Sequence, residues 1–294
     1  MTATTVPLTP AQSHSRGVLI LLASTIAWSS AGLFVRAVPL DAFSMLVWRG
    51  PAGALGILSL LLWFDGRSAL GTFVKMRSLA WLYTCISTAT IVCFILALKL
   101  STVAHVGIIY ATVPFVAAAL GFLFLRERPS VSAVLASLAA LAGVAFMVSA
   151  ADQGSSLLGD LLAGLMTLGS ASMMVLSRQA PDVRMLPAAS ASALLAGLVA
   201  IPFAHHLPAT PVDLGLVIAA GLVANTLGFG LFVIGSRLVP AVETALIGAL
   251  EAPLAPLWVW LAFAETPSLT TILGGALVTL AVLGHLWISG QRKR

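Results

Sequence analysis

Two stretches of this chain repeat one another. Displaced by 142 positions, Gly17, Leu19, Thr25, Ser30 and Arg36 fall on Gly159, Leu161, Thr167, Ser172 and Arg178. Displaced by 138, Phe94, Leu100, Ile109 and Leu123 fall on Phe232, Leu238, Ile247 and Leu261. Coincident Leu or Ala means little in a chain that is 60% hydrophobic. Glu127, Pro129 and Ser130 falling on Glu265, Pro267 and Ser268 means more, because only 9% of the residues are charged. The repeat divides the chain into one unit over 17–149 and a second over 159–289, joined by an external linker at 150–158. Residues 1–16, polar and holding Pro7 and Pro10, read as a disordered tail, and 290–294 as a basic one. A repeat of membrane segments is the usual sequence trace of a secondary transporter whose site lies near the bilayer midplane, where the halves meet.

Composition agrees with a membrane chain. Mean hydropathy is +1.06, and apolar runs of about 20 residues, each long enough to cross the hydrocarbon core, recur along the sequence. Ten spans can be drawn, at 17–36, 42–64, 79–98, 103–125, 131–149, 159–177, 186–204, 213–236, 241–264 and 269–289. All are expected to be helices, because a span in lipid must satisfy its own backbone and no porin-like alternation of polar and apolar residues appears. The fold class is therefore an all-α membrane protein. Five spans in each copy, an odd number, place the second copy upside down relative to the first.

Charge placement sets the orientation, since positive loops stay on the cytoplasmic side. With the amino terminus inside, the inner segments hold Arg16, Arg67, Lys75, Arg77, Arg126, Arg128, Arg178, Arg184, Arg237, Arg292, Lys293 and Arg294, and the outer ones only Arg36 and Lys99. Both termini are expected in the cytoplasm. The net charge of +5 reflects this asymmetry and does not point to nucleic acid.

The ten spans in a five-plus-five repeat, Ala27-Trp28-Ser29-Ser30 in the first helix, and the helix-Pro-helix-Glu pattern from Pro114 to Glu127, echoed from Pro253 to Glu265, resemble the drug/metabolite transporter superfamily in its ten-helix, EamA-like exporter branch. The resemblance covers nearly the whole chain. It implies an efflux carrier of the bacterial inner membrane for amino acids or related metabolites, aromatic amino acids among them, with a central cavity lined by both repeats. One departure is visible: Leu250-Glu251-Ala252-Pro253 carries an extra Ala between Glu and Pro, which moves Pro253 one place off the register of Pro114.

Polar groups inside the spans supply the candidate site. Glu251 lies near the middle of the ninth span, where a charge costs roughly 2.5 to 3.5 kcal/mol on insertion scales, so it faces a cavity or stays protonated. Proton coupling and a plain hydrogen bond to the carbonyl freed by Pro253 both fit it. Arg49, a third of the way into the second span, either snorkels to the surface or turns inward to hold a carboxylate. Asn225 shares a helix face with Gly221, Gly228 and Phe232, and its repeat counterpart is Ser87, beside Thr88. Cavity lining and interhelical bonding both fit that pair. Tyr110 lies one turn before Pro114, which removes a backbone donor and opens the preceding turn. Trp28 lies mid-span, away from the interfacial belts. With Phe94 it would form an apolar wall. Most of the remaining Trp residues (Trp48, Trp63, Trp81, Trp258, Trp260 and Trp287) read as interfacial anchors, His105 and His285 as satisfied packing residues, and Cys85 and Cys93 as unpaired thiols. The stripe Ala136, Ala139, Ala140, Gly143 reads as a packing surface, in a monomer or a weak homodimer.

Enzyme chemistry finds no support. There is no His-Glu-x-x-His, no Gly-x-Ser-x-Gly, no paired membrane aspartates and no metal-spaced Cys and His cluster. No phosphate-cradling Gly-Lys-Ser/Thr loop is present for an ATP-driven pump, and no cofactor is implied. A carrier for a small amphipathic metabolite in the lipid bilayer is the reading that remains, with an uptake permease or a channel as its alternative.

Overall fold

The structure is a computed structural model. It describes residues 10–38, 40–66, 68–101, 103–149, 156–180, 182–205, 210–264 and 266–292. Arg67, Glu265, Lys293 and Arg294 lie outside these, as do residues 1–9 of the expected tail and 150–155 of the linker. Among the described residues every regular element is helical, as the backbone of a chain in hydrocarbon requires.

Among the described residues, eight helices are long and apolar enough to cross a membrane. They are formed by α3 (Ala42–Asp65), α5 (Ser78–Leu100), α6 with α7 (Val103–Tyr110 and Val113–Leu125), α9 (Leu157–Gln179), α10 (Leu186–Ala200), α11 with α12 (Pro211–Ala220 and Gly230–Gly235), α13 with α14 (Ala241–Gly248 and Glu251–Phe263), and α15 (Leu269–Arg292). The other two expected spans are the pair α1 (Pro10–Ser29) and α2 (Ala31–Ala37), and the shorter apolar α8 (Val131–Met147). A seven-residue helix, α4 (Ser68–Val74), occupies the loop after α3.

Several boundaries differ from expectation. The first helix starts at Pro10, so residues 10–16 are wound rather than part of a tail; His14, on its second turn, is held by Glu243. α9 takes up the end of the linker from Leu157, capped by the Ser156 hydroxyl, which accepts from the Gly159 amide at 3.1 Å. α15 runs on through the expected basic tail to Arg292. The first span breaks at Ser30, where the Ser29 and Ser30 hydroxyls donate to the carbonyls of Ile26 and Ala27 at 2.8 and 2.6 Å. Such back-bonding by adjacent serines bends a helix.

The repeat read from the sequence is present in three dimensions. The broken helix α6–α7 and the broken helix α13–α14 match at every boundary under the displacement of 138. Both end on a left-handed residue, Arg126 (φ 56°) and Ala264 (φ 55°), again 138 apart. Beyond each, a serine caps the next helix: Ser130 accepts from the Ala133 amide and Ser268 from the Thr271 amide. The duplicated Glu-x-Pro-Ser thus encodes one turn used twice. Tertiary contacts are duplicated too. A Cβ on Gly17 would meet Leu238 Cβ at 2.6 Å, and one on its counterpart Gly159 would meet Ser101 Cβ at 2.7 Å, beside Leu100.

The two copies form one body. α3 packs on α10 through Gly50 and Gly197, and α8 on α15 through Gly143 and Gly274. A shared core joins Leu21, Ile57, Tyr83 and Val113 of the first copy to Met174, Ala188, Phe232 and Val233 of the second. Ala136, Ala140 and Gly143 of the small-residue stripe are buried beneath α15 of the same chain. Both ends of the chain reach the same end of the bundle, because His14 and Ser289 both bond Glu243.

Close approach at glycine makes a prediction. A Cβ at Gly143 would lie 2.7 Å from the Gly274 carbonyl oxygen, a backbone atom that cannot step aside. Gly143→Ala is expected to lower stability by about 1 to 3 kcal/mol. Gly164→Ala, with open space around its Cβ, is expected to gain about 0.5 to 1 kcal/mol. Thermal unfolding of the detergent-purified chain measures both.

Candidate functional site

The break between α13 and α14 determines where Glu251 sits. Sequence reading placed it inside a continuous helix; in the structure it is the first residue of α14. The end of a half-helix favours a carboxylate at its amino terminus. The same break on the other side of the repeat falls just after Tyr110, the last residue of α6. Pro114 explains that break by removing a donor; Pro253, one place off register, serves the same purpose, leaving the Ala249 carbonyl to accept from Ala252. The two breaks face each other, since Glu251 lies within electrostatic reach of the Tyr110 phenol, with Ser170 of α9 also beside it.

Arg49, Tyr110 and Glu251 are each half-buried. Tyr110 and Glu251 mark the space between the two breaks. Arg49 does not snorkel: its Nε is buried without a hydrogen-bond partner. It shares the face of Gly53 and Gly56, which press against Asn225 and Thr226. Asn225 Nδ2 donates to the Arg49 carbonyl oxygen at 3.4 Å, so these two expected residues are neighbours. Asn225 belongs to a π-helical stretch, Gly221–Phe229, inserted between α11 and α12; its counterpart in α5 is α-helical.

Trp28 packs at Gly228, one turn further along the same element. Its ring lies 5.9 Å from Phe229 and 5.7 Å from Phe232, the latter edge-to-face. Tyr83 stacks on Phe229 at 6.3 Å. Phe94 is 38% exposed, but it shares a helix stripe with Tyr83, Ser87 and Thr90, all buried.

Two expected site residues are not brought to this space. The Ser87 hydroxyl donates to Ser192 of α10 at 3.0 Å, which makes it an interhelical bond. Thr88, one residue on, leaves the inward stripe, and its buried Oγ1 has no partner. The tryptophan reading also needs correction. Trp63 and Trp287 are outward and exposed, as anchors should be, but Trp258 Nε1 donates to Ser29 at 2.8 Å inside the bundle, and Trp48 Nε1 is buried.

Four residues stand outside the expected site. Tyr83 is fully buried and faces Ser177; its place on the stripe of Ser87 was the available signal. Glu127 and Arg178 form an ion pair between the ends of α7 and α9, and their shared place in the repeat alignment was the clue. Glu243, 8% exposed, is a second buried acid, overlooked because it lies at the start of a span, where charge is cheap. His285 Nε2 lies 3.7 Å from that carboxylate and 3.3 Å from the Ser289 hydroxyl. The side chain of His105 lies outside the described residues. Cys85 and Cys93 are free, as expected. Among the described residues no cluster of His, Cys, Asp and Glu is arranged to hold a metal ion.

Two copies of one membrane-helix unit, each with a broken helix whose break approaches that of the other, fit the architecture of a membrane transport protein. The model of the EamA-like transporter family matches the chain twice, over residues 15–149 and 157–287. The chain belongs to that family, within the drug/metabolite transporter superfamily. No curated protein sequence matches it closely enough to count as a relative. A solved structure described only as the crystal structure of a protein superposes with a TM-score of 0.81, covering 95% of this chain and 99% of its own, at 19% identity. That likeness is one of fold.

The reassignment of Ser87 is testable. Ser87→Ala is expected to cost about 0.6 kcal/mol, the usual worth of such a bond between membrane helices, and to leave substrate affinity unchanged in a binding titration.

Proposed function

We propose that this chain is a secondary carrier of ten membrane helices, with both termini in the cytoplasm of a bacterial inner membrane, that exports amino acids or related amphipathic metabolites by alternating access. The observation that carries this reading is the approach of Tyr110 and Glu251, each at the break of a broken helix and one from each copy, with Arg49 half-buried in the second span. A buried guanidinium Nε without a hydrogen-bond partner suits a carboxylate, which Arg can grip with two parallel bonds. The Glu251 carboxylate suits an ammonium group. Trp28 and Phe94 supply apolar walls, so the side chain accommodated is aromatic or branched, and Asn225 adds a donor and an acceptor at the rim. The excess of Lys and Arg in the proposed inner segments supports the orientation.

The carrier itself moves by exchanging an inward-open for an outward-open arrangement of the two copies, which inverted repeats render similar in energy. Export, rather than uptake, follows the family resemblance.

Counterflow of labelled amino acids into proteoliposomes tests the reading. Uptake against excess unlabelled substrate, saturating with concentration, is expected for aromatic or branched amino acids. Linear flux without exchange would indicate a channel, and failure with every amino acid would refute the substrate class. Arg49→Lys and Glu251→Gln are each expected to weaken substrate binding by about 10- to 100-fold, the worth of one hydrogen bond to a charged group. Amino acid analogues lacking the carboxylate should be insensitive to Arg49→Lys, and those lacking the amine insensitive to Glu251→Gln.

A further inference from the structure

Two seams between the copies are related by the repeat. One joins α7 to α9, which both run toward the end of the bundle that holds the termini. The other joins α14 to α1 and α2, at the opposite end. α14 stands 138 places after α7, and α9 stands 142 places after the stretch divided into α1 and α2. Across the first seam Glu127 pairs with Arg178. Across the second, the indole Nε1 of Trp258 donates to the Ser29 hydroxyl at 2.8 Å. The place matching Trp258 in the first copy is Leu120, which has no polar atom to offer.

The helices that carry these bonds are built differently. Ser29 and Ser30 both donate back to carbonyls of the preceding turn, and the first span breaks there. Their counterparts are Ala171 and Ser172; Ser172 alone bonds back, to the Leu168 carbonyl at 2.7 Å, and α9 winds on unbroken to Gln179. A hydroxyl has one proton to give and lone pairs to receive. Ser29, 1% exposed, gives its proton to Ile26 and receives the indole N–H, so both capacities are used.

α14 is the loosely held partner. None of its residues is buried, whereas α13, on the other side of the break, buries seven of its eight. The matching half-helix α7 buries Val113, Pro114, Ala117 and Gly121. Elements with few buried contacts are those that move at least cost. Trp258 shares a helix face with Glu251, two turns earlier, and a helical side chain leans toward the amino terminus of its helix, here toward Glu251.

We propose that Trp258 is the movable wall of the space between the two breaks, and that its bond to Ser29 latches α14 to the first span and shuts that space from the end opposite the termini. Release needs only one neutral hydrogen bond to part, with α14 swinging about the break at Ala249 and Leu250. Parting α7 from α9 instead separates a charged pair and displaces an unbroken helix. That the opening admits substrate rests on the carrier reading above; the latch does not.

The test uses the full chain in lipid vesicles, with Cys85 and Cys93 replaced by Ala and a single cysteine at Ala255, which lies between Glu251 and Trp258 on their shared face. A membrane-impermeant maleimide is supplied from each side in turn, the termini side being identified by a separate protein whose only cysteine replaces the exposed Gln291. Trp258→Phe keeps a ring but has no donor, and Ser29→Ala removes the acceptor. Each is expected to speed labelling from the side opposite the termini about 5-fold, the worth of one neutral hydrogen bond, and to leave labelling from the termini side unchanged. Ser172→Ala, at the repeat-related seam, is expected to change neither rate. Labelling indifferent to both Trp258→Phe and Ser29→Ala, or raised equally from the two sides, overturns the proposal. Counterflow is read separately. If it is absent in every protein while labelling follows the expected pattern, the carrier reading fails and the latch stands; if it proceeds while labelling ignores Trp258 and Ser29, the latch fails and the carrier stands.

Discussion

Helices in hydrocarbon gain nothing by hiding leucine from lipid, so what holds this bundle together is close backbone contact where side chains are missing. Gly50 against Gly197 and Gly143 against Gly274 are the principal instances. Each joins a helix to its counterpart in the other copy, across the axis that relates them. With the two seams fixed, the broken helices have no choice but to face inward from opposite copies, and the polar ends of α6 and α14 meet in the interior. Leucine, phenylalanine and tryptophan left over from packing cover the outside, as Leu123 and Trp63 do.

What the sequence made legible was the part governed by repetition and by hydrophobic length. Matching Glu127-x-Pro-Ser with Glu265-x-Pro-Ser found a turn that is built twice, down to the left-handed residues Arg126 and Ala264. Matching Gly17 with Gly159 found a duplicated helix contact. Facing was harder, because α5 is apolar all round and carries hydroxyls on several sides. Ser87 and Thr88 were equivalent as letters; only packing shows that one is tied to α10 and the other turned off the inward stripe. Phe94 shares the stripe of Tyr83, Ser87 and Thr90 yet is partly exposed, a difference that residue type alone does not encode.

Polar residues at the ends of spans were undervalued for a physical reason. Near the headgroups a charge is inexpensive, so nothing in hydropathy separates an acid that waves in solvent from one sealed between helices. Glu243 is of the second kind, and it is sealed because α1 begins at Pro10 rather than at Gly17. The two extra turns carry His14 to the carboxylate. A length misjudged by seven residues therefore concealed a whole constellation.

The π-helical stretch Gly221–Phe229 is the clearest departure from symmetry between the copies. Within it the Gly230 amide reaches back five residues to the Asn225 carbonyl, whereas the matching part of α5 keeps the ordinary winding. Such a stretch stores a surplus residue in the coil, and a surplus residue can be handed along the axis, like a ruck travelling down a carpet, with only one or two amides changing acceptor at any moment. As the ruck passes, everything beyond it rotates about the axis. The eighth span can thus re-aim Asn225 and the rings of Phe229 and Phe232 without unwinding, a freedom its twin in the first half does not share.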